Sequence, residues 1–289
     1  MSSLREKAMA VIRQSRLFFS VPATFSILST FVAVRNYNLT QLFLVLLSFF
    51  LIWTFMSSVN NTYDVETDRD SQLMKTQNPI VTGELSLREA QAMNLVLPVL
   101  AIAVGVFVGQ YWIGLPLIAT ILVVLYDIKP FRFKDRPLGI FVAPLGACLP
   151  FPFAYAAATS SFALPPWALC VFAFLYSSAV MVTHFLPDME LDLKHGIRNF
   201  STTYGAEASW KVDLATTVSA AIILVVGVVL GGLSPIGVPL LLLSVTLQLR
   251  ILAQGAEPLR NPGVYRRFAG GRMITNSISM ALSIIGLTL

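Results

Sequence analysis

Apolar stretches of about 20 residues follow one another along the whole chain, the length an α-helix needs to cross a bilayer core. Short polar segments separate them. The pattern predicts nine spans, at 17–34, 42–59, 90–109, 111–126, 138–158, 166–184, 211–231, 235–249 and 271–289. The expected fold is all-α: a polytopic membrane protein forming a single domain over residues 1–289. The fourth and eighth spans are short and contain Pro116 and Pro239, so both are candidates for kinks.

Composition agrees with the pattern. The chain is 56% hydrophobic and 12% charged, about half the charged fraction of an ordinary soluble domain. Its first 16 residues are basic and lack a long apolar core. No cleavable signal is expected, since the first span can direct insertion. Cys148 and Cys170 sit in apolar segments without a CxxC pair, and read as small buried residues.

The net charge of +5 would suggest a nucleic-acid partner in a soluble protein. Here it follows from topology. Of the 20 basic residues, 19 fall at the N-terminus or after spans two, four, six and eight, with Arg35 the exception. The positive-inside rule then puts the N-terminus in the cytoplasm, with the cell membrane as the expected location. No nucleic-acid partner is expected, and the bilayer is the surrounding medium. Tyr37, Tyr111, Trp112 and Trp167 fall near the opposite span ends, as interfacial aromatics tend to do.

All 15 acidic residues fall on the cytoplasmic side of the same map. Carboxylates contribute little to orientation, so topology does not require this clustering. Their spacing says more. Asn60, Asp64 and Asp68 step by four, which puts them on one helical face if span two runs on. Asp188 and Asp192 repeat the step after span six, 124 residues later and four spans on. Like charges one turn apart repel, and a divalent cation would remove the penalty. Hard oxygen donors, few in number, suit magnesium. The chain contains no Gly-rich phosphate loop, no zinc-type cluster and no serine–histidine–acid set. His184, one turn before Asp188, is placed to hydrogen-bond that carboxylate, while His195 reads as a polar loop residue.

Asn60-x-x-x-Asp64-x-x-x-Asp68 together with Asp188-x-x-x-Asp192 resembles the paired motifs of the UbiA superfamily of intramembrane prenyltransferases, and the resemblance extends over the whole chain. It implies a nine-helix bundle around a central cavity, with the active site on the cytoplasmic side. It implies Mg2+ as cofactor, with a polyprenyl diphosphate and a lipophilic acceptor as partners. On the matching positions Asp64, Asp68, Asp188 and Asp192 are the metal-binding and catalytic residues, and Asn60 joins them. Arg16 resembles a family arginine near the phosphate. Tyr126, Lys129 and Lys134 match the family's Tyr- and Lys-bearing loop after span four, and Arg198 lies in a stretch that resembles the family's approach to span seven. Two positions depart from the commoner pattern. Asn61 stands where many members have Asp, and Asn78-Pro79 where many read Arg-Pro.

The reaction implied is magnesium-dependent transfer of a polyprenyl group, with an aromatic quinone precursor as the default acceptor. Arg132-Phe133-Lys134-Asp135-Arg136-Pro137 looks somewhat like the carotenoid (lycopene) elongase subgroup. An ether-lipid prenyltransferase, a chlorophyll-type ester synthase and a terpene cyclase are the other options. A cation-coupled transporter is the alternative of a different class, disfavoured because the acids gather at one face rather than at the midplane.

Overall fold

A computed structural model describes residues 4–71, 74–161, 167–230 and 235–285. Every regular element among them is helical. In chain order these are α1 (Leu4–Gln14), α2 (Val21–Ala33), α3 (Leu39–Tyr63), α4 (Val65–Asp70), α5 (Leu87–Val108), α6 (Gly114–Asp127), α7 (Gly139–Cys148) and α8 (Pro150–Thr159). They continue with α9 (Trp167–His184), α10 (Met189–Lys194), α11 (Phe200–Val229), α12 (Val238–Leu252) and α13 (Pro262–Ile285). Short 3-10 turns lie between several of them.

Four stretches are long and apolar enough to cross a membrane by themselves: α3, α5, α11 and the Gly139–Thr159 stretch formed by α7 and α8. Helices α2, α6 and α9 are apolar but shorter. At 1.5 Å per residue α6 reaches only about 21 Å, less than a ~30 Å hydrocarbon core. The eighth and ninth expected spans fall on α12 and α13, with 286–289 outside the described residues. Pro116 and Pro239 lie in the first turns of α6 and α12, where a missing N–H costs nothing, so neither is a kink. The break within a long helix comes instead at Gly205 in α11, where φ is 88°. A side chain rarely tolerates that conformation.

The chain separates into two compact units, Met1–Ser20 with Phe43–Arg132, and Val21–Leu42 with Phe133–Leu289. In the first, Ile52, Phe55 and Val59 of α3 pack on Ala101 of α5 and on Ala119 and Val123 of α6. Ser48 donates to the carbonyl of Ala101 at 2.8 Å and Asn94 to Thr62 Oγ1 at 3.1 Å, pinning α5 to α3. Where little water can reach, such polar ties satisfy groups that would otherwise be costly. In the second unit, Phe151 of α8, Leu169 and Phe172 of α9 and Leu224 of α11 form the core. Leu186, Leu252, Leu259 and Phe268 form another cluster near its polar end. Large exposed apolar side chains such as Leu95, Val99 and Phe107 line α5. In a membrane protein that surface meets lipid tails.

Helix α5 starts with a complete capping box. Ser86 Oγ accepts from the Glu89 amide at 3.2 Å, and Glu89 accepts from the Ser86 amide at 2.8 Å. Ser86→Ala should therefore destabilise the protein by about 1 kcal/mol, read as a leftward shift of a denaturing-detergent titration followed by circular dichroism.

Candidate functional site

In the first unit the aspartate motif is built at a step in the helix. Helix α3 ends at Tyr63, and Asp64, with φ −99° and ψ 5°, is the N-cap of α4. The backbone ladder nevertheless continues: the Asp64 amide donates to Asn60 O at 3.0 Å and the Asp68 amide to Asp64 O at 2.7 Å. The expected one-turn spacing of Asn60, Asp64 and Asp68 is kept, although the helix is not continuous. The Asp64 side chain makes no cap hydrogen bond. It pairs instead with the Arg132 guanidinium at 3.2 Å. Asp68 is buried and accepts from Asn78 Nδ2 at 2.7 Å.

Asn78 donates also to the backbone oxygen of Asn61 at 2.9 Å, which commits both hydrogens of its amide. The departure from Arg-Pro at this position thus has a local reason: a fully buried carboxamide fixes the second aspartate of the motif. Asn61 is likewise committed. It donates to Gln14 Oε1 at 3.0 Å, and its oxygen accepts from Arg16 Nη2. It ties the motif to α1.

Arg16 lies against Asn61, beside the first motif. Burial pulls its guanidinium below the ordinary arginine value, while Asp68, then Asp64 and Asp127, pull the other way. Asp127 is an acid outside both spaced motifs. It is 3% exposed at the end of α6, and it accepts from Asn60 Nδ2 at 3.0 Å. Tyr126 beside it is half-buried, and Lys129 is exposed. A cavity of about 580 Å³ in this unit is lined by Val65 and Arg69 of α4 and by Lys7, Ile80, Leu85 and Glu89 among others.

The second unit repeats the device. Asp188, with φ −102° and ψ 4°, is the N-cap of α10 without a side-chain cap bond. The Asp192 amide donates to Asp188 O at 2.8 Å. Asn199 Nδ2 donates to Asp192 Oδ2 at 2.6 Å, while its oxygen caps α11 through the Thr202 amide at 3.0 Å. In both units an aspartate sits at a helix step, a six-residue helix follows, and an asparagine from the next loop clamps the second aspartate. Burial raises the Asp188 carboxyl above the ordinary value, opposed by His184. His184 Nδ1 lies 3.2 Å from the Tyr265 hydroxyl. Lys134 is buried in the Phe133–Asp135 turn, and Arg198 is exposed.

The second unit also holds a buried ion pair, between residues that the charge map counts on the cytoplasmic side. Arg272 Nη1 donates to Asp213 Oδ2 at 2.7 Å and Nη2 to Thr217 Oγ1 at 2.9 Å. Both charged side chains are at most 1% exposed. The guanidinium stacks over Tyr176 and Phe268 at 5.4 and 4.9 Å.

The donor set bears on the expected cation. Among the described residues no three His, Cys, Asp or Glu side chains converge as a metal cage. What each motif offers is two carboxylates one turn apart, with Asn60 beside the first pair. Magnesium is characteristically held by one or two carboxylates, with water and substrate phosphate completing its octahedron. The residues fit that ion and would suit a thiolate- or imidazole-seeking metal poorly.

A helical membrane protein carrying two oxygen-rich aspartate steps is a recognisable class, and comparison with known proteins identifies it. The UbiA prenyltransferase family model matches residues 20–277, so the chain belongs to that family. A 4-hydroxybenzoate octaprenyltransferase of Alkalilimnicola ehrlichii is 26% identical over 182 residues, 63% of this chain and 61% of that protein. A lycopene elongase/hydratase of Haloferax volcanii is 29% identical over 172 residues, 58% and 54% of the two chains. The match therefore spans somewhat more than half the length of these relatives. A UbiA homologue from Archaeoglobus fulgidus, solved with GPP and Mg2+, superposes with a TM-score of 0.72 at 25% identity, covering 94% of this chain and 99% of that one.

Proposed function

We propose that this protein is a magnesium-dependent prenyltransferase that moves a polyprenyl group from its diphosphate to a lipophilic acceptor, with both aspartate motifs serving one diphosphate at the cytoplasmic face. The observation that carries the reading is the duplicated step, an aspartate at a helix break and a second aspartate clamped by an asparagine. That construction holds carboxylates one turn apart against their mutual repulsion, which is useful when a cation is to arrive.

Asp64 and Asp68 with Asn60, and Asp188 with Asp192, would hold the ions. Magnesium supplies charge neutralisation of the diphosphate as its bond to carbon weakens. Arg16, Lys129, Lys134 and Arg198 add positive charge for the leaving oxygens, and Tyr126 a hydroxyl donor. The allylic C–O bond breaks with its electron pair leaving on diphosphate. The acceptor's π electrons form the new C–C bond, and a proton leaves the acceptor. Apolar helix faces keep water from the electron-poor carbon.

An aromatic quinone precursor is the first acceptor to test. One observation favours a second reading, an uncharged isoprenoid acceptor. Asn78 stands where many sequences of the family read arginine, and it spends its amide on the protein itself, so this position offers no cation to an acidic acceptor. The test is product analysis. The purified protein, in liposomes with geranylgeranyl diphosphate, is offered a hydroxybenzoate or lycopene, with Mg2+ or with EDTA. Diphosphate release that needs Mg2+, with an acceptor heavier by one prenyl group less one hydrogen, is expected. Release indifferent to Mg2+, or none with any acceptor, would overturn the reading.

A further inference from the structure

We propose that Asp127 is a positioning residue for Asn60, fixing which end of its carboxamide faces the cation while adding a buried negative charge to that face. The inference rests on the reading of Asn60 as a metal-side residue and goes beyond it. A carboxamide has an oxygen end and an NH2 end, and only the oxygen can meet a hard cation. An ionised carboxylate accepts hydrogen bonds and donates none. Asp127 Oδ1 takes the Asn60 Nδ2 hydrogen at 3.0 Å, so Asn60 Oδ1 is turned away from Asp127. Orienting groups of this kind usually govern how well a ligand set holds its ion.

The charge is needed for a second reason. Asn61, where many family members have an acid, is turned to Gln14 and Arg16. It brings no charge to the Asn60 face. Asp127 brings a carboxylate from a different helix, α6. Ile52, Phe55 and Val59 of α3 also share a core cluster with Ala119 and Val123 of α6, so the Asn60–Asp127 bond is not the sole link between these helices.

The experiment is Mg2+ titration of the full-length protein in nanodiscs by calorimetry, with a non-cleavable prenyl diphosphonate present. Asp127→Asn, which can donate as well as accept and so lets Asn60 turn, should weaken Mg2+ binding about 10- to 100-fold. Its melting temperature without metal should stay near wild type. The exchanged pair, Asn60→Asp with Asp127→Asn, restores one donor and one acceptor and keeps an oxygen toward the ion, so it should recover most of the affinity. Wild-type affinity in Asp127→Asn, or an exchanged pair no better than the single variant, overturns the inference. If Asp127→Asn does not fold, recovery of folding without Mg2+ affinity in the exchanged pair overturns it too. Asp64→Ala is the control. If it also leaves Mg2+ affinity intact, the reading of the whole motif fails rather than this inference alone.

Discussion

Asp188→Ala is expected to lower magnesium-dependent diphosphate release by about a thousandfold or more, since holding a catalytic ion is worth several kcal/mol in the transition state and each 1.36 kcal/mol is a factor of ten. The same loss is expected for Asp64→Ala. The informative variant is the double one. If both motifs act on a single diphosphate, the double variant should be hardly worse than either single, because residues that work as a unit are grossly non-additive. Losses that multiply would indicate two independent sites. Steady-state release of diphosphate, with circular dichroism confirming the helices, separates these outcomes. Neither aspartate caps its helix through its side chain, so alanine removes no cap hydrogen bond, and full activity in both variants would end the proposal.

The sequence shows the membrane class readily because span length and charge bias are averages over many residues, and averages survive local irregularity. It also shows the two motifs, because a four-residue step in acids is a local signal. The step at Asp64 and at Asp188 is less legible. Nothing in Asn60–Asp70 marks the change to φ −99°, and the ladder is continuous on either side. The asparagine clamps are hidden differently. Asn78 lies ten residues after its aspartate and Asn199 seven, so no fixed spacing announces them. Asp127 is hidden by position, next to a loop full of charge where one more acid looks like solvent decoration. Its contact with Asn60 comes from 67 residues away in the chain. Arg132 is one of four basic residues in that loop and nothing in its spacing singles it out, yet it meets Asp64. The boundary of the ninth span misled most. A span placed at 271–289 sets Arg272 in its first turn, among the charges of the cytoplasmic end, whereas α13 starts at Pro262 and carries Arg272 well inside it.

That misplaced arginine leads to the second large effect. Asp213→Ala should destabilise the protein by about 3–5 kcal/mol, as expected when one partner of a buried ion pair is removed. The remaining guanidinium would keep Thr217 and two aromatic faces but lose its counter-charge, with at most 1% of either side chain open to solvent. Removing both charges is a different matter. Asp213→Leu with Arg272→Met fills similar volume and leaves no orphan charge, so its stability should lie near wild type or above it. Unfolding in a denaturing-detergent titration, followed by tryptophan fluorescence, measures both. A single variant as stable as wild type would mean that water reaches Arg272. A double variant as unstable as the single would mean that the pair's geometry, rather than its charge balance, holds α11 to α13. The distinction matters for the second motif, because Tyr265 lies on α13 seven residues before Arg272 and its hydroxyl meets His184, one turn from Asp188. Helix α13 must stay in register for that contact, and the ion pair ties it to α11. The stable double variant is therefore expected to bind Mg2+ normally only if apolar packing alone keeps that register.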